Sequence, residues 1–220
     1  MKNIKALLRL DYQLVRTYWK WWLSFFALSI FMSIVNRSGA TNVLIFSMFA
    51  MTLMALPFEV ADKNNLNVLF ATLPTNRKSL LFARYAFMAL SLVAVIIISV
   101  ITGLAIDLIS GNSINITEYL TFTSLSICVF LVAAGIQTPF FYRHGYAKGR
   151  IFMWIPLIVI IIVINLPALF DLLSLDIEFD IFQILFRNVT VTSIVSLCTG
   201  VLAFVISYLL SRRIYLKKDF

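Results

Sequence analysis

Apolar residues run along this chain in long stretches, and polar residues gather between them. A helix that crosses the hydrocarbon core of a bilayer needs about 20 largely apolar residues. Six stretches approach or reach that length: Tyr18–Val35, Val43–Phe58, Ala86–Ile106, Leu120–Tyr142, Ile151–Phe170 and Val191–Leu210. The pattern therefore predicts an all-α integral membrane protein with six transmembrane helices in a single domain, residues 1–220.

The first 17 residues have an amphipathic pattern. On a helix, one arc is apolar and carries Ile4, Leu7, Leu8, Leu14, Val15, Tyr18 and Trp19. The neighbouring flank is basic and carries Lys2, Lys5, Arg9, Arg16 and Lys20. Asp11 interrupts the apolar arc. We expect residues 1–17 to form a helix in the membrane interface, its basic flank facing anionic headgroups. The alternative is an ordinary basic anchor with no further role.

The amino-acid composition also indicates a protein embedded in a lipid bilayer. Hydrophobic residues make up 61% and charged residues 13% of the 220 positions, against roughly 45–50% and about 25% in soluble domains. Cys128 and Cys198 both lie inside apolar stretches. We therefore expect two buried small side chains and no disulfide framework.

The basic residues predict the orientation. Sixteen of the 18 Lys and Arg residues fall in the N-terminal segment, in the segments after the second and fourth spans, and in the tail. Only Arg37 and Arg187 fall in the other three loops. The positive-inside rule places both termini in the cytoplasm. The excess of basic residues on the cytoplasmic side accounts for the net charge of +8, so no nucleic-acid partner is expected.

The chain lacks the sequence patterns of an enzyme. Its single histidine, His144, falls in a predicted cytoplasmic loop, and no HExxH, GxSxG or Cys/His metal spacing occurs. There is also no GxxxxGK[ST] motif, so the chain cannot cradle ATP phosphates. We expect no catalytic, metal or cofactor site in this chain.

Two polar side chains fall deep in predicted spans, and each stands two residues before a proline. The pairs are Gln137 with Pro139 and Asn165 with Pro167. The plain interpretation is interhelical hydrogen bonding with a kink. The functional one is a polar point on a translocation path, or a hinge that opens it.

The segment 171–190 is too apolar for a solvated loop and too acidic to span. It predicts a short re-entrant or interfacial hairpin on the outer side, between the fifth and sixth spans.

The segment 59–85, between the second and third spans, is longer than a simple turn. Its middle predicts a short helix with one apolar face, Leu66, Leu69, Phe70 and Leu73, while Val68 lies off that face. Pro74 ends this helix, and a second helix is expected to run through Arg77 and Lys78 into the third span. The apolar face either rests in the lipid interface or fits a groove on a cytoplasmic protein.

The residues of this segment resemble those of small permease subunits of the ABC-2 type (ABC, ATP-binding cassette). The resemblance is carried by Glu59, Asp62, Lys63, Asn65, Leu73, Pro74, Arg77, Lys78, Ala83, Arg84 and Tyr85. It extends over the whole chain, with its N-terminal interfacial helix, six spans, inward termini and outer hairpin. The narrower likeness is to permeases that expel amphipathic peptides of the phenol-soluble-modulin type.

The resemblance implies that the helix between the second and third spans is a coupling helix seated in a separate ATP-binding subunit. The implied interface comprises Glu59, Asp62, Leu66, Leu69, Phe70, Leu73, Pro74, Arg77 and Lys78. ATP and Mg²⁺ would bind the partner, not this chain. Two copies, or this chain and a sister permease, would enclose an export path for an amphipathic peptide, an antimicrobial or a lipid-like substrate in a bacterial cell membrane.

Two other functions stay open at this point. A solute-binding subunit or ion-coupled carrier needs polar or ionisable groups at mid-membrane, and only Gln137 and Asn165 qualify. A membrane immunity or scaffold protein would need neither ATP nor a motor.

Overall fold

The computed structural model describes residues 2–64, 77–149 and 189–217, and every regular element in these ranges is an α-helix. The helices are α1 Lys2–Arg16, α2 Trp19–Val35, α3 Ala40–Leu53, α4 Leu56–Lys63, α5 Arg77–Ser110, α6 Ile116–Gly149 and α7 Val189–Leu216. The predicted span Ile151–Phe170 lies outside the described residues. So do residues 65–76, which include the predicted coupling helix, and all of the outer hairpin except Val189 and Thr190, which begin α7.

Four stretches of the described chain are long and apolar enough to cross a membrane. They are Ala40–Lys63, which joins α3 and α4, and Lys78–Ser110, Ile116–Tyr146 and Val189–Leu216. The pair α1 and α2, bent by 68°, gives a fifth if it is counted as one span. The chain is therefore a multi-pass membrane protein, and the predicted all-helical character of its spans is confirmed where the structure describes them.

Several helices are longer than the apolar stretches that predicted them. α5 begins at Arg77, nine residues before the predicted third span, so Arg77 and Lys78 open a helix that continues into the span as expected. α6 likewise continues past Tyr142 to Gly149. A helix satisfies its own backbone hydrogen bonds, so it can continue from hydrocarbon into the interface without new partners.

The helices define two ends of the bundle. At one, called here the basic end, α1, α4 and the start of α5 lie with the last turns of α6 and α7, and Tyr142 packs on both Phe58 and Tyr215. At the other, the far end, the turn between α2 and α3 meets the start of α6 through Ser38 and Glu118 and the end of α5 through Gly39 and Asp107. The positive-inside rule predicts that the basic end faces the cytoplasm.

Small residues allow α6 and α7 to pack closely. A Cβ added to Gly200 would lie 3.0 Å from the Cα of Cys128, and one added to Gly135 would lie 3.3 Å from the carbonyl oxygen of Ala203. Small residues at such contacts let helix backbones approach in a membrane. The Tyr85 hydroxyl adds a polar link from α5 to α7, at 2.7 Å from the Ser207 hydroxyl and 2.8 Å from that of Ser211.

Candidate coupling site at the basic end

The last helix of the second span, α4, is fixed to α6 by a hydrogen bond. The Tyr146 hydroxyl donates to Oε2 of Glu59 over 3.0 Å. The other carboxylate oxygen, Oε1, accepts from Lys63 one turn further along α4. The bond from Tyr146 to the charged carboxylate contributes about 1.5–3 kcal/mol, and the exposed pair with Lys63 contributes only about 0.3–0.5 kcal/mol. The chain therefore enters the segment 65–76 from a helix that is anchored to its neighbour.

The start of α5 is anchored through Arg84. This arginine is only 4% exposed, and its guanidinium carbon lies 4.4 Å from the centre of the Phe58 ring in α4. Phe58 also packs on Phe141 and Tyr142 of α6, at 5.1 and 5.3 Å between ring centroids. A desolvated cation over an aromatic face is stabilised by about 2 kcal/mol. The chain thus leaves the segment 65–76 into a helix fixed to α4.

The N-terminal helix contributes an acid to the same cluster. Asp11 in α1 is 3% exposed and Leu7, one turn earlier, is also buried. Burial raises the pKa of the Asp11 carboxyl above its ordinary value, and the positive charge of Arg84 opposes that rise. Asp11 therefore marks the face of α1 that packs against the bundle near Arg84, which explains why an acid interrupts the apolar arc.

The last turns of α6 bend where they meet α4. Gly145 leaves helical geometry, with φ 77° and ψ 169°, a region that favours glycine. A Cβ at this position would lie 3.4 Å from Oδ2 of Asp62. The bend lies between Tyr142, which packs on Phe58, and Tyr146, which binds Glu59. Gly145 was not among the residues predicted from the sequence to belong to a site.

The structure describes only the edges of the predicted ATPase interface. Glu59 and Asp62 lie on α4 facing the end of α6, Lys78 is exposed in the first turn of α5, and Arg77 begins that helix. The five central residues lie outside the described part of the chain: Leu66, Leu69, Phe70, Leu73 and Pro74. The interface itself therefore stays a prediction.

The predicted path and hinge residues are described in part. Gln137 in α6 is 2% exposed, and its neighbour Thr138 donates to the Ala134 carbonyl over 2.6 Å. Pro139 lies inside α6, whose non-helical residue is Gly145 rather than the proline. Asn165 and Pro167 lie outside the described residues. Whether the two described residues line a path or form a hinge stays a prediction.

The far end contains a buried polar cluster around Asp107, a residue that was not among the predicted site residues. Its Oδ1 accepts from the Gly39 backbone N–H and its Oδ2 from the Tyr119 hydroxyl, both over 2.7 Å. Gly39 and Gly103 touch, since a Cβ on Gly39 would lie 2.1 Å from the Gly103 carbonyl oxygen. These contacts fasten the starts of α3 and α6 to the end of α5.

Within residues 2–64, 77–149 and 189–217, no three His, Cys, Asp or Glu side chains are grouped as metal ligands. The clusters at both ends instead join helices of one bundle to each other. Together with the apolar spans, they define a polytopic membrane protein whose second and third spans are held together at the basic end.

Comparison with known proteins assigns the family. The sequence profile of the family described as "ABC-2 family transporter protein" matches residues 6–216. The chain belongs to this family, and it is a membrane component of an ABC transporter. No curated protein and no solved structure gives a significant match. The predicted resemblance to ABC-2-type permeases is thereby confirmed.

Proposed function

We propose that this chain is the permease of an ABC exporter, and that a separate ATPase subunit drives it through the segment 65–76. The observation that carries the proposal is the anchoring of both ends of this segment. Before it, Glu59 is bound to Tyr146 of α6. After it, Arg84 is stacked on Phe58 of α4.

This arrangement suits a coupling element for a mechanical reason. Packed interfaces change between discrete arrangements and do not deform continuously. A displacement applied to residues 65–76 would therefore reach α4 and α5 directly and α6 through Tyr146 and Tyr142. Asp11 would carry the same displacement to α1. Four helices would respond to a push on one short segment.

The proposed assembly contains two permease chains, two copies of this one or this one with a sister permease, and two ATPase subunits. ATP and Mg²⁺ bind the ATPases. The basic end faces the cytoplasm of a bacterial cell, where Leu66, Leu69, Phe70 and Leu73 enter a groove on the ATPase. Glu59, Asp62, Pro74, Arg77 and Lys78 border that contact.

The proposed substrate is an amphipathic peptide, an antimicrobial or a lipid-like molecule. Large apolar side chains dominate the exposed surface of the spans, for example Leu90, Ile97 and Ile101 on α5. A path built at the interface between two such chains would be apolar. Asn165 is a candidate polar point on it, and Gln137, which is buried in this structure, would become one when the helices move apart.

Reconstitution tests the proposal. Proteoliposomes that contain this chain and its ATPase should export an amphipathic peptide when ATP is supplied. Dissipating the proton and sodium gradients should leave export unchanged, and an ATPase variant that cannot hydrolyse ATP should abolish it. Export that persists with the inactive ATPase and collapses with the ion gradients would show a carrier instead.

A further inference from the structure

A groove separates the N-terminal helix from the third span. It is a cavity of about 600 Å³ between α1, the start of α2 and one face of α5. Tyr12 and Val15 of α1 form one wall, Leu90 and Ala94 of α5 form the other, and Trp19 and Trp22 of α2 line one end. Its volume falls in the range of about 300–1,000 Å³ that is usual for sites that bind small molecules.

The groove continues away from the basic end along apolar residues. A second cavity of about 290 Å³ shares Trp19, Trp22 and Ile98 with the first and adds Leu23 and Phe26. Along α5 the first cavity extends from Phe87 to Ile98, which is about 16 Å of helix at 1.5 Å per residue. The space is therefore long and narrow, and it points into the membrane.

Among the described residues that line the groove, the charged ones lie along one edge. Arg9 and Arg16 both line it and both are exposed. They lie seven residues apart on α1 and therefore about two turns apart on the same side of the helix. Within the part of the chain that the structure describes, neither arginine forms an ion pair with a carboxylate.

We propose that this groove binds one membrane phospholipid with an anionic headgroup. The headgroup phosphate contacts Arg9 and Arg16, and an acyl chain follows α5 from Phe87 to Ile98. Guanidinium groups match the geometry of phosphate oxygens, and tyrosine and tryptophan favour the boundary between headgroups and hydrocarbon. A zwitterionic lipid would fill the apolar part equally well but gain less from the arginines.

The charge pattern favours this occupant over a helix from a second copy of the chain. An apolar helix would fill the apolar part of the groove but would leave Arg9 and Arg16 without an anion. A lipid in the groove would also bridge α1 to α5, two helices that already interact through the charges of Asp11 and Arg84.

The tryptophans that line the groove make the proposal testable in the full-length chain. The protein has four tryptophans, and Trp21→Phe with Trp154→Phe leaves only Trp19 and Trp22. The variant is reconstituted in phosphatidylcholine nanodiscs that contain brominated phosphatidylglycerol and, in a parallel sample, brominated phosphatidylcholine at the same mole fraction. Quenching of the fluorescence of Trp19 and Trp22 is then compared between the two samples. The proposal predicts a clear preference for phosphatidylglycerol, which Arg9→Gln with Arg16→Gln should reduce by about fivefold for each arginine removed.

Matched variants separate the groove from general charge attraction. Arg212→Gln with Arg213→Gln removes two exposed charges at the same end of the bundle and should leave the preference unchanged. Ala94→Phe should fill the groove and weaken quenching by both lipids. Val93→Phe adds the same ring at an exposed position of α5 that does not line the groove, and it should have no effect.

Three results would overturn the proposal. One is equal quenching by the two lipids in the parent protein. Another is a preference that survives the loss of Arg9 and Arg16, or that falls equally when Arg212 and Arg213 are changed. The third is loss of self-association in Ala94→Phe with unchanged lipid quenching, which would assign the groove to a second copy of the chain.

Discussion

The Tyr146 hydroxyl donates a hydrogen bond to the Glu59 carboxylate over 3.0 Å, across 87 positions of sequence. This bond joins the end of the second span to the last turn of the fourth. It lies beside the point where the chain leaves the bundle for residues 65–76.

Tyr146→Phe tests whether this bond transmits movement. The variant keeps the ring contact with Phe141, at 5.7 Å between centroids, but loses the donor to Glu59. Stability should fall by about 1.5–3 kcal/mol, and stimulation of the partner ATPase by substrate should fall several-fold. Thermal unfolding and ATPase assays on the reconstituted complex measure the two effects.

Tyr119→Phe is the matched control, because it removes an equivalent hydroxyl from Asp107 at the far end. It should cost similar stability and leave stimulation of the ATPase nearly intact. Equal loss of stimulation in both variants would mean that stability alone sets coupling.

Asp11 and Arg84 should be energetically coupled, because both are buried and Arg84 acts electrostatically on the carboxyl. A double-mutant cycle with Asp11→Asn and Arg84→Gln should give a coupling energy of about 0.5–3 kcal/mol. Chemical unfolding in detergent measures it. Lys78→Gln, an exposed position on the same helix, should show no coupling to Asp11→Asn. A coupling energy near zero for Asp11 and Arg84 would show that α1 is not energetically coupled to this cluster.

Gly39→Ala should disturb the far end, because its added Cβ would meet the Gly103 carbonyl oxygen and the Tyr119 hydroxyl. The backbones of α3 and α5 would have to separate, at a cost of about 1–3 kcal/mol. Thermal unfolding should show the loss. Gly111→Asn is the control, since that position has φ +70° and open space around it, and asparagine tolerates positive φ. Wild-type stability in Gly39→Ala would contradict the described contact.

Pro139→Ala tests the hinge interpretation of α6. Proline cannot donate to the carbonyl four residues earlier, which here belongs to Gly135, and alanine restores that donor. Stability should stay the same or rise, while the rate of export falls because α6 is stiffer. Pro57 stands in the first turn of α4, where no donor is missing, so Pro57→Ala should leave export nearly unchanged. Export at the wild-type rate in Pro139→Ala would remove this hinge from the mechanism.

The sequence predicts the helical membrane fold because lipid leaves the backbone few alternatives. In hydrocarbon each backbone N–H and C=O must be satisfied inside the chain, so long apolar stretches become helices. The predicted first, second, third, fourth and sixth spans therefore coincide with α2, α3–α4, α5, α6 and α7. Hydropathy could not give the helix ends at Arg77 and Gly149, because a helix can extend beyond the hydrocarbon.

The clusters at the two ends were not predictable in the same way. Glu59 and Tyr146 meet across 87 positions, and Gly39 and Asp107 across 68, so only the packing of helices brings them together. One signal was present in the sequence. Asp11 stands alone on an apolar arc, and a lone acid there must be buried near a compensating group. Hydropathy places Asp107 at the end of a span, but the hydrogen bonds that it accepts come from α3 and α6.

In the proposed mechanism, the segment between the second and third spans transmits the work of a separate ATPase. The most direct measurement is co-purification of the ATPase with Phe70→Asp and with Val68→Asp, each in the full-length permease. The first places a charge on the predicted apolar face and the second places the same charge off it. We predict that Phe70→Asp releases the ATPase and loses substrate-stimulated hydrolysis while the permease stays folded, and that Val68→Asp retains both. Retention of stimulated hydrolysis in Phe70→Asp would show that the apolar face of this segment does not couple the ATPase to the permease.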